Sequence, residues 1–285
     1  MDYHDLGCSA SQHMAGTINA FTQGNSTTTS QASSPTVQDI DVTKPFTWDN
    51  GQTLRIGFSG GNDWQKDQVQ RHSVEWCKYA NNSLTFVIGP PYHILISFLE
   101  LGSWSQLGIY SLMKIMQGQP SMNFGWMYPA VPEAERRAVT LHEFGHALGL
   151  VHEHQGPWID YQIAWNTQKV YEFFSAPPNS WEKATIMSNI LQKFKGVGLA
   201  KKAWFDIDSI MLYTYPKELF VKGDGTPRNY ELSLLDKGAM FMVYPGRDMG
   251  DHKWQIELGL EGRIGRFYAR EYEYKASTDE EVKGG

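Results

Sequence analysis

His142-Glu143-Phe144-Gly145-His146-Ala147-Leu148-Gly149-Leu150-Val151-His152-Glu153-His154 holds four of the chain's nine histidines, and its spacing decides how the rest is read. Histidines 142 and 146 are four apart, about one helical turn, so both imidazoles project from one face and can meet a single cation. Gly149 can end the helix in a left-handed backbone without the cost of a Cβ, which lets the chain turn sharply and bring His152 back as a third ligand. Three neutral nitrogens leave a zinc ion one open position, where bound water is acidic enough to supply hydroxide near neutral pH. Glu143, beside the first ligand, can take that water's proton as general base and return it to a leaving group. His-Glu-x-x-His alone recurs in helices whose histidines merely pack. The longer His-Glu-x-x-His-x-x-Gly-x-x-His fixes five positions in eleven, each for a separate geometric reason.

No spacing rule aims His154 at the same metal; a surface place or a supporting place beside the ligands is expected. Glu153 reads as a carboxylate that orients a ligand or receives a buried cation, with a solvent-facing glutamate as the alternative.

Working outward, the metal helix should start at Val131-Pro132-Glu133, where proline suits the first helical position and Glu133 and Glu135 favour the positive end of the dipole. Ala134, Ala138, Leu141, Gly145 and Leu148 form a core stripe, while Val139, His142 and His146 form the stripe facing a site. Upstream, Leu54, Ile56 and Phe58 alternate with Arg55, Gly57 and Ser59 as in a half-buried strand. Residues 65–80 place Val69, Trp76, Cys77 and Ala80 on one helical face. Leu84 to Ile88 and Ile94 to Phe98 follow as strands parted by Gly89-Pro90-Pro91. Downstream, helices are expected around 160–175, 180–195 and 234–243.

The chain has 285 residues, of which 41% are hydrophobic, enough for one sizeable core or a core divided between two lobes. Its net charge of -6 offers no cationic field for phosphates, so no nucleic-acid partner is expected. The two cysteines, Cys8 and Cys77, match neither a zinc ribbon nor a dense disulfide framework; one disulfide or two free thiols both fit. No apolar run approaches the roughly 20 residues that span a bilayer. The first residues lack the basic start and apolar stretch of a secretory signal, so a cytoplasmic location is favoured, with export through a missing leader or another route left open. Residues 1–44 read as a polar arm, 45–246 as the catalytic domain, and 247–285 as an extension whose charged end frays.

A second motif agrees with the first. Asp206-Ile207-Asp208-Ser209-Ile210-Met211-Leu212-Tyr213 resembles the Met-turn of the astacin family of metzincin peptidases, and weaker similarity runs from Trp48 through Ser103-Trp104-Ser105-Gln106-Leu107-Gly108 to Leu232-Ser233-x-x-Asp236 and Tyr244. The resemblance implies an α+β metzincin-type fold. Its N-terminal lobe would carry a twisted mixed sheet and two long helices, its C-terminal lobe would be irregular and mainly helical, and the zinc cleft would lie between them. It implies one zinc ion per chain on His142, His146 and His152, Met211 as a structural floor, and Tyr213 as a switchable ligand that also stabilises the transition state. The segment 103–108 would be the sheet edge that aligns an extended peptide or protein substrate. In family members activated by cleavage the new amino terminus reaches the residue matched by Glu153, which makes 1–44 a propeptide or a passive tail. The chain departs from the pattern too: Ser103 stands where a cysteine is usual, and Gln155-Gly156-Pro157 replaces an arginine-containing continuation. Oligomeric state is not legible.

Peptide-bond hydrolysis is therefore the expected reaction. The alternatives are a zinc enzyme of a biosynthetic pathway acting on a small molecule or modified peptide, and a non-catalytic peptide-binding protein.

Overall fold

The computed structural model describes residues 46–156, 164–177, 179–193 and 205–248. The expected polar arm, nearly all of the C-terminal extension, residues 157–163 and Cys8 lie outside them.

Strand β1 (Thr53–Phe58) buries Leu54 and Ile56 completely, as its alternation requires. Helix α1 (Asp63–Ser73) opens with a capping box: Asn62 and Gln65 each accept the other's backbone N–H at 2.9 Å. The single helix expected over 65–80 instead tightens into a 3-10 turn at Val74–Lys78. That turn carries Trp76 into the core, where its Nε1 donates to Leu141 O at 2.9 Å. Cys77 is a partly buried free thiol.

Strands β2 (Ser83–Phe86) and β3 (Ile94–Ser97) flank β1, both parallel to it. Two three-residue strands complete the sheet: β5 (Met122–Phe124) pairs parallel with β3, and β4 (Ser103–Ser105) pairs antiparallel with β5. The order is β2-β1-β3-β5-β4, a mixed sheet with β4 at one edge. A short helix α2 (Ser111–Met116) connects β4 to β5.

Helix α3 (Glu133–Ala147) carries His142, Glu143 and His146. Pro132 occupies the capping position, one residue before the first helical position expected for it. Ala138, Leu141 and Leu148 are buried as the stripe predicts, while Ala134 is exposed and Val139, half-buried, packs on the main core. Glu135 is buried in that first turn, held by Arg228 at 2.7 Å and by the Tyr230 hydroxyl at 2.8 Å.

The C-terminal part contains α4 (Thr167–Ser175), α5 (Lys183–Ile186) running into one π-helical turn at Met187–Leu191, and α6 (Leu234–Val243). The main core gathers the sheet, α1, α3, α6 and Met211. A second core joins Val170, Phe174, Ile186, Ile190, Tyr215, Leu219 and Phe220. The architecture is the α+β class expected. Among the described residues no helix is long and apolar enough to cross a membrane.

Candidate metal centre

A helix leaves its last four carbonyls without intrahelical partners. At the end of α3 each of the four has one. Leu150 N donates to Gly145 O at 2.9 Å and Gly149 N to His146 O at 2.8 Å, the paired bonds of a Schellman turn. Trp48 Nε1 donates to Ala147 O and the Tyr244 hydroxyl to Leu148 O, both at 2.7 Å. Gly149 has φ +96°, the left-handed backbone expected of it. Trp48 and Tyr244, weak similarities in the sequence, thus clamp the point where the chain reverses.

The reversal brings His152 back to the helix. His146 Nε2 lies 3.1 Å from His142 Nε2 and 3.1 Å from His152 Nε2. Each imidazole is held from behind: His142 Nδ1 donates to Ile210 O, His146 Nδ1 to Leu150 O and His152 Nδ1 to Gln155 Oε1, all at 2.8 Å. With Nδ1 protonated, each Nε2 presents a lone pair, so the short Nε2 separations are three acceptors facing one another. A cation bound among them would satisfy all three lone pairs. Nitrogens bound at about 2.1 Å to one tetrahedral zinc lie about 3.4 Å apart, close to what the three residues offer. They form the one potential metal-binding group of His, Cys, Asp or Glu side chains among the described residues. Burial is nearly complete and drives the imidazoles to their neutral, ligating form. It holds His142 down to about 4, with the Arg228 charge adding to the effect, and holds His146 and His152 well below their usual range.

Glu143 is fully buried beside His142. The turn carrying Met211 passes under the helix, where a Cβ on Gly145 would stand 2.4 Å from Met211 Sδ and push the methionine side chain aside. Met211 is buried and its carbonyl accepts from Glu153 N at 3.0 Å. The same turn is tied to the capping box of α6. Asp236 Oδ2 accepts Ile210 N at 2.8 Å and Ser233 N at 3.0 Å, while Oδ1 accepts the Ser209 hydroxyl at 2.6 Å. Tyr213 brings its ring to 4.3 Å from the His152 ring and 5.6 Å from that of His142, centroid to centroid.

Three features of the site exceed what spacing foretold. Glu153 is buried, with Oε1 accepting Asp206 N at 2.7 Å, so the solvent-facing alternative does not hold. His154 is fully buried, its ring 5.2 Å from that of His152 and 5.3 Å from that of Tyr213, with its Nε2 against Asn189 O at 3.0 Å; burial holds it down to about 3. Gln155 carries the hydrogen bond behind the third histidine. Ser103, Trp104 and Ser105 form an edge strand whose residues are all buried.

No family model and no curated protein matches the chain. Solved structures do. A structure of myroilysin is 34% identical with a TM-score of 0.66, covering 70% of this chain and 96% of that one. A second crystal structure of myroilysin is 33% identical with a TM-score of 0.55, covering 70% and 86%. High choriolytic enzyme 1, a hatching enzyme zinc-protease from Oryzias latipes, is 16% identical with a TM-score of 0.47, covering 75% and 98%. The myroilysin likeness, at that identity and over nearly the whole relative, carries the assignment: the chain belongs to the astacin family of zinc metalloendopeptidases.

Proposed function

We propose that the protein hydrolyses internal bonds of peptides or proteins with one zinc ion held by His142, His146 and His152 and with Glu143 as general base. The observation that carries this reading is the convergence of three Nε2 lone pairs, each imidazole fixed by an acceptor on Nδ1. Zinc bound there supplies a Lewis acid that lowers the pKa of water to about 7 and polarises the scissile carbonyl.

The chain's own groups do the rest. Glu143, rigid in mid-helix, takes the proton of the attacking water and delivers it to the departing amine nitrogen, so the proton balance closes within one turnover. Tyr213, packed against the His152 ring, donates its phenolic hydrogen to the carbonyl oxygen as negative charge develops there, and serves as an exchangeable fourth protein ligand between turnovers. Met211 and Gly149 act through packing and backbone shape: the one supports α3 from below, the other turns the chain toward His152. Glu153 anchors the loop after the third ligand to the Met-turn. Substrate binds as an extended chain near β4, the antiparallel edge of the sheet.

Elemental analysis tests the ligand set. Purified protein should hold about one zinc per chain, as a site of three histidines and a water position requires. Replacing His142, His146 or His152 singly with alanine should strip most of it. Folded protein without zinc, or unchanged zinc content in the variants, would overturn the assignment.

A further inference from the structure

The three histidines are not supported alike. His142 and His146 rest on backbone carbonyls, Ile210 O and Leu150 O, whereas His152 rests on a side chain, Gln155 Oε1 at 2.8 Å. Gln155 is itself buried, and its Nε2 donates to Ser188 O at 2.7 Å and Gln192 O at 3.0 Å. Two carbonyl acceptors settle which end of the amide is nitrogen, because the flipped group would set its oxygen against two others. With Oε1 so aimed, His152 must carry its proton on Nδ1.

Both carbonyls belong to the end of the α5 helix and its π-helical turn, where helical carbonyls lose their intrahelical partners. His154 meets a third, Asn189 O. The metal loop therefore caps this helix end with two consecutive side chains. The carbonyls polarise the Gln155 amide, whose oxygen becomes a better acceptor and the imidazole beyond it a better donor to a cation.

We propose that Gln155 is the positioning residue of the third metal ligand, locking the tautomer and orientation of His152 and fastening it to the carbonyl end of the α5 helix. This rests on the reading of His152 as a ligand. Gln155 touches neither substrate nor metal and acts only through the imidazole.

The test pairs two substitutions that separate acceptor from donor. Gln155→Met keeps the length and removes both functions. Gln155→Glu keeps the acceptor for His152 Nδ1 but, near pH 8 where the carboxylate is charged, sets a second oxygen against Ser188 O and Gln192 O. Zinc dissociation constants by chelator competition and thermal midpoints are measured for both, with wild type and His152→Ala as references. The Met variant should bind zinc about 10- to 100-fold more weakly. The Glu variant should melt below wild type yet hold zinc close to the wild-type value. If Gln155 served packing alone, zinc would loosen in step with the midpoint in both variants; that pattern, or an unchanged dissociation constant in the Met variant, overturns the proposal. Should the Met variant not fold, the Glu variant decides by the same comparison. Wild-type zinc binding by His152→Ala would instead overturn the ligand reading beneath it.

Discussion

In the proposed mechanism single residues divide the labour: three imidazoles hold the metal, Glu143 moves protons and Tyr213 meets charge. Tyr213 is the sharpest to probe, because Tyr213→Phe removes one hydroxyl and leaves the ring that packs against His152. Its kcat should fall by about one to three powers of ten with a smaller change in KM and zinc retained, as for an interaction strongest in the transition state. Steady-state kinetics with chemistry rate-limiting checks this, and an unchanged kcat would reduce Tyr213 to a packing residue. The cluster of His142, His146 and His152 was legible because each member has a spacing reason, four along a helix and three past a turning glycine. Gln155 and the burial of His154 were not, since both depend on the carbonyl end of the α5 helix arriving from more than 30 residues downstream, as the separation of 33 between Gln155 and Ser188 records.

Among the elements, α3 and its terminal turn carry the site. The helix could be read from its periodicity and its glycine stop, and α6 matched its expected bounds of 234–243 because Ser233 and Asp236 write a capping box into the sequence. Strand β5, and β4 as a strand rather than a loop, escaped reading by pattern because three residues are too few to display alternation. The turn itself can be tested by Gly149→Ala. At φ +96° a Cβ is disfavoured, and it would also lie 3.1 Å from Phe46 O. The variant should lose about 1–3 kcal/mol of stability by denaturant unfolding and bind zinc less tightly, because Leu150 O, which orients His146, is displaced. An unaltered unfolding midpoint would show that the Schellman turn does not need its left-handed residue.

At the scale of the whole molecule, two cores meet around buried neutral histidines, and that sets the response to acid. Burial places the pKa of His142 at about 4 and that of His154 at about 3, below the ordinary 6.5. The unfolded chain therefore takes up protons first. Stability is complete above about pH 6.5 and is lost progressively as pH falls toward 4. Thermal midpoints of chelator-treated protein across that window should fall steadily with pH; a flat profile would contradict the buried, neutral assignment. Zinc bound at the proposed site would steepen the loss, since protons compete for the same nitrogens. The fold class followed from motif and resemblance, while the clamp of Trp48 and Tyr244 on the end of α3 emerged only in three dimensions. The most direct test of a zinc endopeptidase working through Glu143 is casein cleavage by wild-type protein and Glu143→Ala at matched zinc content. Fragments are expected from the wild type and almost none from a variant that folds and holds its zinc. Equal cleavage by the two, with contaminating proteases excluded, would contradict that role of Glu143.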